Sequence, residues 1–313
     1  MTRPITAGVD GSEESLAALA WAAREAVRRR APLHVVHAWQ AQTGDGAGER
    51  DAQERWVREA VAESVRTVTE RHPELTVSTE VREADDAVAV LLAAGAGAEE
   101  LVLGSRGHGA VVGFLLGSVG QQVIAEATRP VVLVRSGDEA ASEAAGREIV
   151  VGQQGEPEDS ADVIGFAFEA AAARGATVRA VRAWTLPTVF TYSPGSMALA
   201  DEAGGLEQYE RKALGEALGP WRERFPDVPV IEHVEMGSAG QVLLSVAGGA
   251  QLVVVGRRAR RTAVGARIGS VAHGTPRDGR LGCPATPEAG GRSAAQSDVG
   301  CSVSRARGRM WAM

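Results

Sequence analysis

The stretch best equipped for chemistry runs from Leu101 to Ser118, LVLGSRGHGAVVGFLLGS. An apolar run leads into Gly104, Gly107 and Gly109, and a second one closes on Gly117-Ser118. Residues of this kind hold anions. Gly104 lets the backbone turn sharply out of the strand, and Gly107 and Gly109 let backbone N–H groups come close to an anion. The first amides of a helix have no partner within it and lie at the positive end of its dipole, which suits a phosphate. Arg106 adds charge and Ser118 a hydroxyl. A second chemical group stands in GVDGS, Gly8 to Ser12, where the carboxylate of Asp10 follows an apolar run directly. The expectation is a pocket that grips phosphates beside a carboxylate.

Several other chemistries are excluded. A P-loop needs G-K-[S/T], and the single lysine, Lys212, follows no glycine loop. GVDGSEES does not supply the G-x-G-x-x-G of a dinucleotide fold. Ser105 and Ser118 lack the G-x-S-x-G setting of a hydrolase. No residue is marked as a general base beside an attacking water. His37 reads as a strand-end residue, and His108 as a loop residue facing solvent or phosphate. Asp10 has a second reading, as a cap for the helix that begins near Ser12.

Strands and helices must alternate to position these groups. Strands are expected at Ile5 to Val9, Leu33 to Ala38, Val77 to Val81, Leu101 to Leu103 and Val131 to Val134. Helices are expected at Ser12 to Arg30, Asp51 to Arg71, Asp85 to Ala94 and Gly117 to Ala127. Trp56, Val57, Val61, Val65 and Val68 form the apolar stripe of the second helix. Arg28 to Arg30 read as a solvated helix end that complements the dipole. Alternation of this type gives a mostly parallel sheet covered on both faces, with ligands beyond the carboxyl ends of the strands.

The pattern occurs twice. Pro4 to Gln40 and Glu148 to Thr185 each carry a short strand ending in glycine (Gly8, Gly152), a polar turn, an Ala-rich helix and a strand ending in Ala-Trp. Leu101 to Gly120 likewise matches Leu252 to Ala272. The join falls near Ser136 to Gly146, a polar stretch.

The spacing Gly104-x-x-Gly107, nine residues, Gly117-Ser118, together with GVDGS and the HAW of His37 to Trp39, resembles the universal stress protein family in its ATP-binding class, whose loop reads G-x-x-G-x9-G-[S/T]. The resemblance covers residues 4–135 and, more weakly, 147–272, as in the tandem type. It implies an α/β, Rossmann-like fold of two repeated open, mostly parallel five-stranded sheets with helices on both faces. It implies ATP as ligand, with Mg2+ and ribose near Asp10 and the adenine edge at the backbone of Ala38. Gly104, Ser105, Arg106, Gly107, His108, Gly109 and Ala110, with Gly117, Ser118 and Val119, would hold ribose and phosphates. Gly8 joins this set. Gly152, Gly256, Gly269 and Ser270 are the matching positions of the second half.

The second half departs from that pattern. Gln154 stands where Asp10 stands, and Ala259 replaces the second glycine in Gly256-x-x-Ala259, nine residues, Gly269-Ser270. Arg257, Arg258, Arg260 and Arg261 add charge there, either toward a ligand or into solvent. After His273 the expected helix and final Val-rich strand are replaced by a Pro- and Gly-rich stretch, so the second sheet is expected to lack its last strand. A reading-frame change near residue 274 would produce such a tail. The domains are therefore 1–138, 147–273 and an anomalous, disordered tail over 274–313.

Composition fits this scheme. The chain has 313 residues, 44% hydrophobic and 23% charged, with a net charge of −7, enough for about two domains of ~150 residues. The acidic balance argues against a nucleic-acid partner. No apolar run approaches the ~20 residues of a membrane span. Cys283 and Cys301 form neither a metal motif nor a disulfide framework, which fits a cytoplasmic protein. The expected partners are an adenine nucleotide and either a homodimer mate or the other domain of the same chain. The function expected is a nucleotide-dependent regulator in stress response. A slow ATP hydrolase using the same pocket and a dimerising scaffold with a vestigial pocket are the alternatives.

Overall fold

The computed structural model describes residues 2–41, 46–105, 117–136, 148–185, 205–257 and 309–312. The first half alternates β1 (Ile5–Gly8), α1 (Glu13–Arg29), β2 (Leu33–Trp39), α2 (Ala47–Arg71), β3 (Val77–Glu83), α3 (Ala87–Gly97), β4 (Glu100–Ser105), α4 (Ser118–Glu126) and β5 (Val131–Arg135). The second repeats this with β6 (Glu148–Gly152), a 3-10 turn (Pro157–Ser160), α5 (Ala161–Arg174), β7 (Val178–Trp184), α6 (Gly205–Arg224), β8 (Val230–Met236), α7 (Ala239–Ala247) and β9 (Ala250–Arg257). Strands β1 to β5 pair in parallel in the order β3-β2-β1-β4-β5, and β6 to β9 in parallel in the order β9-β6-β7-β8. Among the described residues the second set has four strands, as the broken pattern after His273 implies.

Four residues of the stretch read as a disordered tail, Arg309–Ala312, form a strand, β10, between the two sets. It runs parallel to β5 and antiparallel to β9. A fifth strand of the second half would be parallel to β9, as β5 is to β4. β10 therefore fills that slot in the opposite direction.

Helix α1 shows why these segments form where they do. Ser12 caps it, its Oγ accepting from the Ser15 N–H at 3.2 Å. Glu13 and Glu14 stand in the first turn and Arg28 and Arg29 in the last, matching the dipole. Its buried face is mostly alanine (Ala17, Ala18, Ala22, Ala26) around Leu19 and Trp21. Small side chains let the helix lie close to β1 and β4. In α2, Val57, Val61 and Val68 are buried as expected, but Trp56 is 69% exposed. Neighbours on a helix point about 100° apart, so a stripe centred on Val57 turns Trp56 outward.

The two halves share a core and a buried charge cluster. Apolar residues of both halves line each face of the sheet. On α1, Glu25 is fully buried and accepts from Arg29 Nε at 2.6 Å and from Arg174 Nη2, on α5 of the other half, at 2.5 Å. Arg29 lies over the Phe166 ring at 5.3 Å and Arg174 over Trp21 at 5.7 Å, so each arginine crosses to an aromatic of the opposite half. Burial pushes the Glu25 carboxyl up, but Arg174, Arg29 and Arg28 outweigh it and hold the group below its ordinary value. The reading of Arg28 to Arg30 as a solvated end thus holds only for Arg30, which is exposed. Arg29 is only 15% exposed and spans Glu25 and Glu100, its Nη2 lying 3.7 Å from Glu100 Oε2.

Candidate functional site

The strand order places a crevice at the carboxyl ends of β1 and β4, where the chain leaves β1 for β2 on one side and β4 lies on the other. At the end of β1, Asp10 is exposed. Its Oδ1 accepts from the Ser12 N–H at 3.0 Å and from Ser12 Oγ at 2.5 Å. Its own N–H donates to Ser15 Oγ at 3.2 Å, and Ser15 Oγ donates to the Ser12 carbonyl at 2.9 Å. Gly11, at φ +82°, makes the bend that brings Ser12 back over Asp10. Burial raises the Asp10 carboxyl, but the Ser12 and Ser15 bonds, with His37 nearby, outweigh it and hold the group below its ordinary value. Asp10 is therefore an anchored anion at the mouth of the crevice, and it supports the Ser12 cap as well.

The end of β2 forms the next wall. The Val9 N–H donates to the Val36 carbonyl, whereas the Ala84 N–H donates to that of Trp39. Even-numbered peptide groups of β2 thus face β1 and odd-numbered ones face β3. The pairing of β1 stops at Gly8 with Val36, so the N–H and C=O of Ala38 point to the β1 side past the ladder's end. His37 acts locally, its Nδ1–H donating to the Val9 carbonyl at 2.8 Å.

The glycines divide by role. Gly104 lies inside β4, and a Cβ there would sit 2.5 Å from the Glu14 carbonyl carbon and 2.7 Å from the Ser15 nitrogen. Its purpose is close passage of α1 across the strand, not the sharp turn expected from sequence. Gly8 is packed in the same sense: a Cβ would meet Leu103 at 2.6 Å and Leu91 at 2.7 Å. Ser105 is buried and donates to the Val134 carbonyl at 3.3 Å, so its hydroxyl is committed to the sheet. Gly117 caps α4 at φ −60°, ψ 161°, a region open to any residue, and among the described residues a Cβ there would meet no heavy atom within 4 Å. Gly117, Ser118 and Val119 are exposed. Arg106, Gly107, His108, Gly109 and Ala110 lie outside the described residues.

The second half is built differently at the matching places. Gln154 N–H donates to Ser160 Oγ as Asp10 N–H does to Ser15 Oγ, which fixes the equivalence of Gln154 with Asp10. Gly155, at φ +80°, matches Gly11. Register makes Arg182 the counterpart of His37. Its guanidinium donates to Gln153 Oε1 at 2.5 Å, to the Gly155 carbonyl at 2.9 Å and to Glu210 at 2.5 Å, binding the β6–α5 loop to α6. Gly152 ends β6 with Leu243 and Val255 against it, and Gly256 stands in β9 beside Met310 of β10. Gly269 and Ser270 lie outside the described residues. Sequence reasoning found the lost carboxylate but missed the Arg182–Glu210 pair, although a charged residue in each of two otherwise apolar or neutral positions was its signal.

Among the described residues, no group of three or more His, Cys, Asp or Glu side chains could hold a metal ion, and no helix is long and apolar enough to cross a membrane.

Comparison with known proteins gives one consistent result. A model of the universal stress protein family matches residues 1–135 and again 146–275. A universal stress protein of Mycolicibacterium smegmatis is 34% identical over 277 residues, covering 85% of this chain and 91% of that protein. One from Mycobacterium tuberculosis is 32% identical over 282 residues, covering 86% and 92%. In fold, the chain is similar to a universal stress protein structure from Archaeoglobus fulgidus (TM-score 0.56, 16% identity, 78% of this chain and 82% of that one). A putative universal stress protein from Pseudomonas aeruginosa gives a TM-score of 0.54 at 18% identity, over 87% and 88%.

Proposed function

The chain belongs to the universal stress protein family, and from that premise we propose that its first half binds ATP and acts as a nucleotide-dependent regulator in stress response. The observation that carries the reading is the state of Asp10. It is ionised, exposed and already anchored through Oδ1, which leaves Oδ2 for a ribose hydroxyl or a cation. Three further features fit. The Ala38 peptide groups offer a donor and an acceptor to an adenine edge. The exposed Gly117–Ser118 start of α4 suits phosphate oxygens. The bare Gly117 leaves room for them. Mg2+ commonly takes one or two carboxylates plus phosphate oxygens and water, so Asp10 alone fits it as an ion carried in by the nucleotide. An adenine nucleotide implies a cytoplasmic setting.

The role proposed is binding, with occupancy biasing conformation or the choice of partner. Calorimetry of the full chain with ATP tests it. The wild type is expected to bind, and Asp10→Asn to lose about ten- to a hundredfold in affinity, the worth of one charge-assisted bond of about 1.5–3 kcal/mol. Absence of binding by the wild type at millimolar ATP removes the proposal.

A further inference from the structure

Helix α4 begins at the proposed phosphate site, and its other end is held by the opposite half of the chain. Arg257, the last residue of β9, donates from Nη1 to the carbonyls of Ile124 (3.0 Å) and Ala125, and from Nη2 to that of Ala127 (3.4 Å). The last carbonyls of a helix have no amide partner within it and carry the negative end of its dipole, where a cation is favourable. Helix α4 supplies no cation of its own there. Its last turn holds no basic residue, and the Ala127 cap lacks the left-handed turn that would fold the chain back over the carbonyls. The arginine that sequence alone assigns to the second half's own loop, or to solvent, is spent on the first half.

We propose that Arg257 is a positioning residue for the nucleotide site, fixing α4 from its carboxyl end so that the amides at Gly117–Val119 are set for phosphate. The inference rests on the ATP reading above and adds its regulation: the second half, which lacks the carboxylate at Gln154, controls phosphate affinity in the first. Helix α4 has nine residues, about two and a half turns, so a tilt at one end is felt at the other. Any event that moves β9 against α4 changes the grip on phosphates and leaves the adenine and ribose contacts alone.

The test uses the full chain with Arg257→Met and Arg257→Lys, calorimetry with ATP and with adenosine, and amide exchange over residues 118–127. Arg257→Met is expected to weaken ATP about fivefold, to leave adenosine unchanged and to speed exchange in α4. Arg257→Lys is expected to recover part of the loss. Unchanged exchange in β1 and β2 serves as the control for folding. Equal weakening of ATP and adenosine would mean a merely structural contact and overturn the proposal, as would ATP affinity indifferent to both substitutions. Wild-type protein that binds no ATP would remove the ATP reading itself, an outcome distinct from either.

Discussion

Glu100→Gln puts the buried charge cluster to a quantitative test. Glu100 opens β4 and is fully buried; among the described residues neither carboxylate oxygen accepts a hydrogen bond, and the nearest guanidinium nitrogen, Arg29 Nη2, is 3.7 Å away. Arg29 is engaged closely with Glu25 at 2.6 Å. Burial pushes the Glu100 carboxyl up, Arg29 and Arg174 pull it down, and Glu25 and Glu99 push it up again, leaving it at about 7 against an ordinary 4.5. At about 1.36 kcal/mol per pH unit, this displacement corresponds to a maximum of roughly 3 kcal/mol. A folded-state value above the unfolded one means that folding favours the protonated form. The contribution is therefore complete below about pH 4.5 and is lost as pH rises through about 7. Between pH 5.5 and 8.5 the linkage gives a loss of about 2 kcal/mol. Glutamine keeps the shape and stays neutral, so the variant should lack this slope. The assay is urea unfolding of both proteins at several pH values across that window. The difference between them cancels every contribution common to both proteins. Parallel pH profiles, or a wild type that gains stability on the variant as pH rises, would refute the reasoning.

Substitutions at Gly104 and Gly117 separate fold from ligand. Gly104→Ala should fail to fold or lose several kcal/mol, because its Cβ would stand 2.5 Å from the backbone of Glu14. Gly117→Ala should melt within a few degrees of wild type, since no described residue lies within 4 Å of the added carbon, yet bind ATP more weakly in calorimetry; unchanged affinity there would count against the phosphate site. Equilibrium dialysis should give one ATP per chain, because Gln154 replaces the carboxylate and Arg182 is engaged with Gln153, Gly155 and Glu210. Two ATP per chain would contradict that asymmetry.

Much of the fold was legible because local signals agreed. Ser12, the acidic first turn and Arg28 and Arg29 mark α1 almost to the residue, and the doubled pattern implies two sheets with the second a strand short. What remained hidden depends on which element crosses which. Gly104 reads as a turn glycine, yet it is required by α1 passing over β4. Ser105 reads as a ligand residue, yet β5 supplies its partner. Glu25, Arg29 and Glu100 give no sequence sign of sharing one buried cluster, since they lie on two elements and the arginine that completes it lies on a third, 149 positions from Glu25.

The differences between the halves are concerted. Where the first half has Asp10, His37 and a buried valine, Val57, fourteen residues before the end of α2, the second has Gln154, Arg182 and, fourteen residues before the end of α6, Glu210. Arg182 is 12% exposed and Glu210 supplies its counter-charge, so the two changes go together. The second half retains what the first half leans on: Arg174 on Glu25 and Arg257 on the end of α4. Loss of the carboxylate in one repeat together with retention of contacts to its neighbour is the pattern expected if one copy binds and the other holds it in shape.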